Sequence, residues 1–513
     1  MSNISKVFSA ELEGIDAKLI EVETDLNVGL HSFNIVGLAD KALSEAKERV
    51  NSALKNIGVK APNKENRKIV VNLAPADVKK TGSQYDLAIA LGYLLAGKQI
   101  KEFDASDKIF VGELSLAGKL RSINGALNIA RMAQKAGFNY LFLPIKNAEE
   151  AAMIPGLKVM PVNNLQELMD HLEERSSISI QPETKINFSP AVNFPEIAEI
   201  KGQEHAKRAL TIAAAGGHNM IMIGPPGTGK TMLAQSLNSI LPPPTLEEII
   251  EMTQIYSAAG VLANNSFINY RPFRAPHHTA SPVAVAGGGQ NPKPGEISLA
   301  HRGVLFLDEL PEFRRDLLEG LRQPLESGKA VVSRAKNNLT FPAKFTLIAA
   351  MNPCPCGYYE DPEKDCRCGA HEVFRYQKKV SGPLLDRVDI QINVPRVKIE
   401  NLRKKNFDPK ETEKIRKLVL RTRDVQLARF KDLKKKNIFT NSELSSKECD
   451  EVINLDKSGE KFVETAFDKS FLSARGYYRV LKVARTIADL ENSEKVTENH
   501  LAEAFSYKVK SYT

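Results

Sequence analysis

One twelve-residue stretch limits this chain more than any other. Residues 220–231 read MIMIGPPGTGKT. An apolar run, Met220 to Ile223, enters a turn holding Gly224, Pro225, Pro226, Gly227, Thr228 and Gly229, and Lys230-Thr231 opens a run of helical character. Strand, glycine-rich turn and helix in that order, at the spacing Gly-x-x-x-x-Gly-Lys-Thr, predict a phosphate cradle. Glycines let backbone N–H groups close around phosphate oxygens. The helix N-terminus adds a partial positive charge. Lys230 is placed for the β- and γ-phosphates and the Thr231 hydroxyl for Mg²⁺. A purely structural glycine turn accounts for the glycines but not for the Lys-Thr pair behind a strand. The expectation is a parallel α/β core that binds ATP with Mg²⁺.

Such a core needs a second strand that carries acid to the metal. Val304 to Leu307 is fully apolar, as in a buried parallel strand. Asp308 at its end is expected to hold Mg²⁺, and Glu309 to polarise the attacking water as a general base. A third apolar run, FTLIAAMNP, ends at Asn352, whose amide suits the lytic water or the γ-phosphate. Arg387 lies among apolar residues in PLLDRVDI. It either reaches a neighbouring subunit's ATP or pairs locally with Asp386 or Asp389.

Four of the five cysteines fall just after Asn352, as Cys354-x-Cys356 and Cys366-x-Cys368 separated by nine residues. Two pairs on a short loop can give four thiolates to a tetrahedral ion, and Zn²⁺ is the expected occupant. Gly357 and Gly369 after each pair suit knuckle turns, and His371 is a reserve ligand. An iron–sulfur cluster uses the same thiolates. Four thiolates leave no open position, so the expected role is structural: a knot pinning the loop behind Asn352. Cys449 stands apart as an ordinary helix residue.

Length and composition set the frame. The 513 residues suggest about three domains, and 42% hydrophobic with 26% charged residues is ordinary for a globular protein. The N-terminus has no apolar signal segment and no run of membrane-spanning length follows, so a cytoplasmic location is expected. There thiols bind metal more readily than they pair. Residues 1–175 alternate strand-like and helix-like runs, with residues 17–26, 31–38 and 68–75 among the strands. Residues 176–194 read as a linker, 195–395 as the ATPase core, and 396–513 as a basic segment followed by helices. The net charge is +9, and residues 396–439 hold 16 Lys/Arg against 6 Asp/Glu. Such a run faces either a polyanion or plain solvent.

These motifs, in this order, resemble the AAA+ ATPases, and within them the magnesium-chelatase-like branch known as the YifB/ComM family. Residues 270–310, YRPFRAPHHTASPVAVAGGGQNPKPGEISLAHRGVLFLDEL, look like that family's insertion ahead of the acidic strand. Residues 200–231 look like its entry into the ATPase core. The resemblance implies that Asn352 senses the γ-phosphate, that Arg387 is an arginine finger and that Arg475, with Arg479 as fallback, is the second sensor in a C-terminal helical lid. It implies a homo-hexameric ring. It also implies action on single-stranded or branched DNA without sequence preference, as a branch-migration helicase that aids integration of DNA in natural transformation. A pore hairpin is expected over GKAVVSRAKNNLTFPAKF, with Lys329, Arg334 and Lys336 on or near its tip and gripping phosphates; a plain surface hairpin is the alternative. Other members of the wider group imply a chelatase-like metal-insertion motor or a chaperone-type remodeller of a protein partner.

The N-terminal domain resembles the proteolytic domain of Lon proteases, with a ribosomal-S5-like fold. A serine–lysine dyad needs a hydroxyl and an amine in contact. The serine position falls at or near Gln84 and the lysine position at Leu127; Ser83, Lys79 and Lys80 lie nearby in sequence without a partner at the second position. A non-proteolytic relative is expected.

Overall fold

The structure is a computed structural model that describes residues 4–508 apart from 38–42, 44, 187–193, 263–265, 290–291, 334–337, 404–407, 434–437 and 471–472. The chain folds into two compact units. The first comprises Met1–Asn187 together with Leu246–Ile268; the second comprises Phe188–Thr245 and Asn269–Thr513.

The first unit is built on a seven-stranded sheet in the order Ser32–Val36, Arg67–Ala74, Asp16–Val28, Ile4–Glu13, Lys108–Phe110, Tyr140–Pro144, Lys158–Val162. Alternation drives the central strands: Ile20, Val22, Thr24 and Leu26 are buried while their neighbours are not, and Ile69, Val71 and Leu73 repeat the pattern next door. The helix Asp86–Ala96 buries all but one of its residues against this face. Gly92 lets it approach, since a Cβ there would stand 2.5 Å from the Thr24 hydroxyl oxygen. Sequence reading did not find the strand Ile4–Glu13, because buried Ser9 and Glu11 interrupt its apolar pattern.

Residues 246–268, expected inside the ATPase core, belong to the first unit. The helix Leu246–Ala259 packs on the helix Ala126–Lys135, burying Ile249, Met252, Ile255 and Ala259. Arg131 donates to the Gln254 amide oxygen at 2.5 Å and the Gly125 N–H to the Ser257 carbonyl at 3.1 Å. Residues 252–259 of this helix are buried on every side, and an apolar run of that kind suits either core, so its sequence gave no sign of this placement.

The second unit is a parallel sheet in the order Phe273–Arg274, Val304–Leu307, Thr346–Met351, Met220–Ile223, Ile390–Asn393. Met220–Ile223 is an inner, fully buried strand, with Ile348–Met351 on one side and the edge strand Ile390–Asn393 on the other. This order places the ends of Met220–Ile223, Val304–Leu307 and Thr346–Met351 side by side, and the functional residues follow those ends. The core of the sheet, including Met222, Phe306 and Ile348, continues into Leu481, Ala484 and Ile487 of the C-terminal helix Ala474–Leu490.

Most described Lys and Arg residues of the basic run are exposed, but three of its arginines reach back to the protein. Its helix Pro409–Asp432 supplies Arg416 to the Ser239 carbonyl (2.7 Å), Arg423 to Ala214 (2.8 Å) and Arg421 to Leu490 (3.0 Å). Those carbonyls lie in the last turns of the helices Lys230–Ile240, Glu204–Gly216 and Ala474–Leu490. Helix C-termini leave carbonyls without intrahelical partners and carry partial negative charge. Three arginines on one helix thus cap three others.

The expected hairpin is present, Lys329–Ser333 pairing antiparallel with Asn338–Pro342. Lys329 is not near its tip: it pairs with Pro342 at the foot, while Ser333 and Asn338 close the register nearest the turn. Arg334 and Lys336 lie outside the described residues.

Candidate nucleotide site and cysteine cluster

The strand Met220–Ile223 delivers the chain to Gly224, where an added Cβ would meet the Val394 carbonyl oxygen at 2.2 Å, so only glycine fits. Gly227 and Gly229 take positive φ and turn the backbone into the helix Lys230–Ile240. Thr228 fastens the turn through its hydroxyl to the Pro225 carbonyl at 3.1 Å. Lys230 is buried beneath it. Its ammonium donates to the carbonyls of Gly224 (2.7 Å) and Pro225 (2.8 Å) and to the Asn352 side-chain oxygen (3.2 Å). Three protons thus meet three acceptors. Burial pulls the Lys230 pKa down to about 8, against the upward pull of Asp308 and Glu309.

The Thr231 hydroxyl donates to Asp308 at 2.7 Å, so the two expected Mg²⁺ ligands touch. Oxygen donors from a hydroxyl and a carboxylate at the end of a phosphate cradle suit a hard cation that keeps waters. Glu309 follows with φ +51°, left-handed for a non-glycine residue, its N–H bonded to Asp308 at 2.9 Å. Strain of this kind costs about 1–2 kcal/mol and gathers at functional sites. The Glu309 carboxylate points to solvent, 3.6 Å from the His278 ring nitrogen. His278, within the APHHT stretch, was given no role by sequence reasoning. A cavity of about 470 Å³ borders the turn on the other side, lined by Pro226 to Gly229, Met232, Leu233, Ile200, Lys201 and Arg396 among others.

Lys230, Thr231, Asp308 and Asn352, from three strand ends, are therefore brought together, with Glu309 adjoining. Arg387 and Arg475 meet elsewhere. Arg387 donates to Glu326 at 2.6 Å and Arg475 to the other oxygen of the same carboxylate at 3.2 Å. Arg387 is thus paired with Glu326 rather than with Asp386 or Asp389, and its guanidinium holds the Glu326 carboxyl below its usual range. Asp386 pairs instead with Arg479 at 3.2 Å, and Arg479 also donates to the Val388 carbonyl at 2.9 Å. Nothing local marks Glu326 as the meeting point, since it lies 61 residues before Arg387.

The four loop cysteines converge. All four sulfurs lie within 4.8 Å of one another, with Cys354 3.4 Å from Cys356 and 3.7 Å from Cys366, and Cys356 3.6 Å from Cys366. A tetrahedral ion with Zn–S bonds of about 2.3 Å requires sulfur separations of about 3.8 Å. A disulfide would bring a pair to about 2.05 Å. The thiol set therefore fits a metal. Burial pushes the Cys356 thiol up, but amide donors from Arg367 and Tyr358 outweigh it and bring the thiol down to about 6. His371 is not among the converging ligands. Cys449 is buried apart, and desolvation pushes its thiol up to about 11.

In the first unit, Leu127 is fully buried. The Gln84 amide donates to Glu11 at 2.9 Å and the Ser83 hydroxyl donates to Glu113. Lys80 is buried with its amine on the Pro75 carbonyl. Among the described residues no amine accompanies Ser83. No helix there is long and apolar enough to cross a membrane.

The geometry agrees with relationships across the chain. The family description "Magnesium chelatase, subunit ChlI" matches residues 196–402, "Subunit ChlI of Mg-chelatase" residues 22–147, and the corresponding C-terminal description residues 409–508. The competence protein ComM of Haemophilus influenzae is 42% identical over 510 residues, covering 99% of this chain and 97% of that protein. YifB of Escherichia coli is 40% identical over 506 residues, covering 99% and 97%. The magnesium-chelatase 38 kDa subunit of Rhodobacter capsulatus is 28% identical over 179 residues, 31% of this chain and 50% of that subunit. With near-complete coverage at this identity, and with three strand ends converging on one phosphate cradle, the chain belongs to the YifB/ComM family of magnesium-chelatase-like AAA+ ATPases.

Proposed function

We propose that the chain hydrolyses ATP in a ring of identical subunits and uses the cycle to migrate branched DNA or unwind single strands from it. One observation carries the ATPase part: Lys230 bonded to Asn352, beside Thr231 bonded to Asp308. Incoming phosphates exchange for the carbonyls and the amide that now hold the Lys230 ammonium. Thr231 and Asp308 would hold Mg²⁺, which would neutralise charge on the phosphates. Asn352 then has its side-chain oxygen free to orient the lytic water, and Glu309 accepts that water's proton. Arg387 acts on the γ-phosphate of a neighbouring subunit and Arg475 on that of its own, each after leaving Glu326.

The DNA part draws on the name of the Haemophilus relative, a competence protein, and on the hairpin as a pore element with Arg334 and Lys336 as its phosphate contacts. Zn²⁺ held by Cys354, Cys356, Cys366 and Cys368 stabilises the loop behind Asn352. The first unit serves as a Lon-like, non-proteolytic domain, a reading supported by the acid partner of Ser83 and the buried Leu127. The test is ATP turnover with and without forked DNA, alongside strand displacement. Wild type should be stimulated by DNA, with binding that weakens steeply as salt rises; Lys230→Ala should lose nucleotide binding. Turnover indifferent to single-stranded, duplex and forked DNA would refute the DNA reading.

A further inference from the structure

The cysteine loop does more than follow Asn352. It lies against the phosphate turn: a Cβ on Gly357, at φ +86°, would stand 2.6 Å from Cδ of Pro226. Pro353, between Asn352 and Cys354, is held from behind by the Gln377 amide at 2.9 Å. The loop also grips a residue of the cavity wall. Arg396, which lines the 470 Å³ cavity with Pro226 to Gly229, has its guanidinium 5.3 Å from the Tyr358 ring centroid. Its nitrogens lie 3.6 Å from Asp361 and 3.8 Å from Glu363. The Asp361 side chain is almost wholly buried; its Oδ1 accepts from the Glu363 and Lys364 N–H groups, while its Oδ2 has no hydrogen-bond donor among the described residues. A buried carboxylate oxygen in that state depends on the nearby cation. Tyr358, Asp361 and Glu363 all lie between the two cysteine pairs, so their positions follow from whether those pairs are tied together.

Lys230, Thr231, Asp308 and Asn352 do not line this cavity, whereas Met232 and Leu233 do. The phosphates belong with the former set, which leaves the nucleoside for the cavity. We infer that Arg396 is a positioning residue of the nucleoside cavity, and that the metal-tied cysteine loop sets nucleotide affinity by holding Arg396 through Tyr358, Asp361 and Glu363. This rests on the reading of the cysteines as a metal site. With the loop untied by metal loss, Arg396 loses its anchor and Pro226 its neighbour, and nucleotide binding weakens.

Full-length protein is titrated with a fluorescent ADP analogue before and after chelation, with bound metal measured in each sample. Arg396→Ala is treated the same way. Chelation should weaken ADP binding about tenfold, and Arg396→Ala should do so comparably while keeping its metal. Chelating Arg396→Ala should add no more than about twofold, because both act through one contact. Asp361→Asn, which keeps all four cysteines, should also weaken binding and decides the matter if chelation unfolds the chain. Metal removed with ADP affinity unchanged, or fully additive effects, overturns the inference and leaves the metal site standing. A chain that neither holds nor takes up metal overturns the metal reading, whatever Arg396→Ala does.

Discussion

Replacing Glu150 by glutamine should stabilise the first unit at alkaline pH and do only about a quarter as much at pH 5. Glu150 lies in the helix Ile145–Ala151 and is buried. One carboxylate oxygen accepts from the Asn147 amide at 2.7 Å, and the Ser257 hydroxyl beside the group also favours its charged form, both outweighed by burial. Burial raises the carboxyl from 4.5 to about 7. The sign follows from linkage. Above pH 7 the group is ionised in both folded and unfolded chains, and burial of that charge is fully opposed. As pH falls from 7 towards 4.5 the native state takes up its proton first and the penalty disappears. The rise from 4.5 to about 7 corresponds to an upper bound of about 3.4 kcal/mol. Glutamine keeps the acceptor for Asn147 and offers an N–H to Ser257. The expected gain is about 1–3 kcal/mol at pH 8, a rise of roughly 2–10 °C in the melting temperature of a unit of this size. Scanning calorimetry at pH 8 and pH 5 reads it. Equal melting temperatures at pH 8, or the same gain at both pH values, would refute the reasoning.

Two further outcomes are expected. Because burial holds Lys230 near 8 and bound phosphates favour its charged form, ATP binding should take up a proton above pH 8, and affinity should fall by up to about tenfold per pH unit beyond it; calorimetry in buffers of different ionisation enthalpy detects the proton. Arg423→Met should remove the cap on the helix Glu204–Gly216 and lower stability by about 1–2 kcal/mol in denaturant titrations, with a smaller loss at high salt.

What the sequence disclosed and what it hid divide along physical lines. The phosphate turn was legible because its chemistry is local: eight adjacent residues fix strand end, turn and helix start. The strand Val304–Leu307 was legible because nothing but burial on both faces produces four apolar residues ahead of two acids. The four thiols were legible because their spacing closes a small loop. By contrast, the partner of Arg387 is set by tertiary packing, and no pattern near Arg387 names Glu326. The helix Leu246–Ala259 is buried on every side over residues 252–259, a pattern that suits either core, so its chain excursion left no trace. Most described Lys and Arg residues of the basic run do face solvent, but charge counts do not show that Arg416, Arg421 and Arg423 also cap helix carbonyls. Lys329 was misplaced because hairpin register depends on the turn, which a charge pattern does not reveal.

The central claim is that residues 224–231, Asp308, Glu309 and Asn352 act on one nucleotide. Its most direct test is Glu309→Gln with radiolabelled ATP and Mg²⁺. The account predicts a chain that retains ATP about as tightly as wild type while hydrolysis falls by at least about 100-fold, as expected for loss of a general base. Hydrolysis at the wild-type rate, or loss of ATP binding, would contradict it.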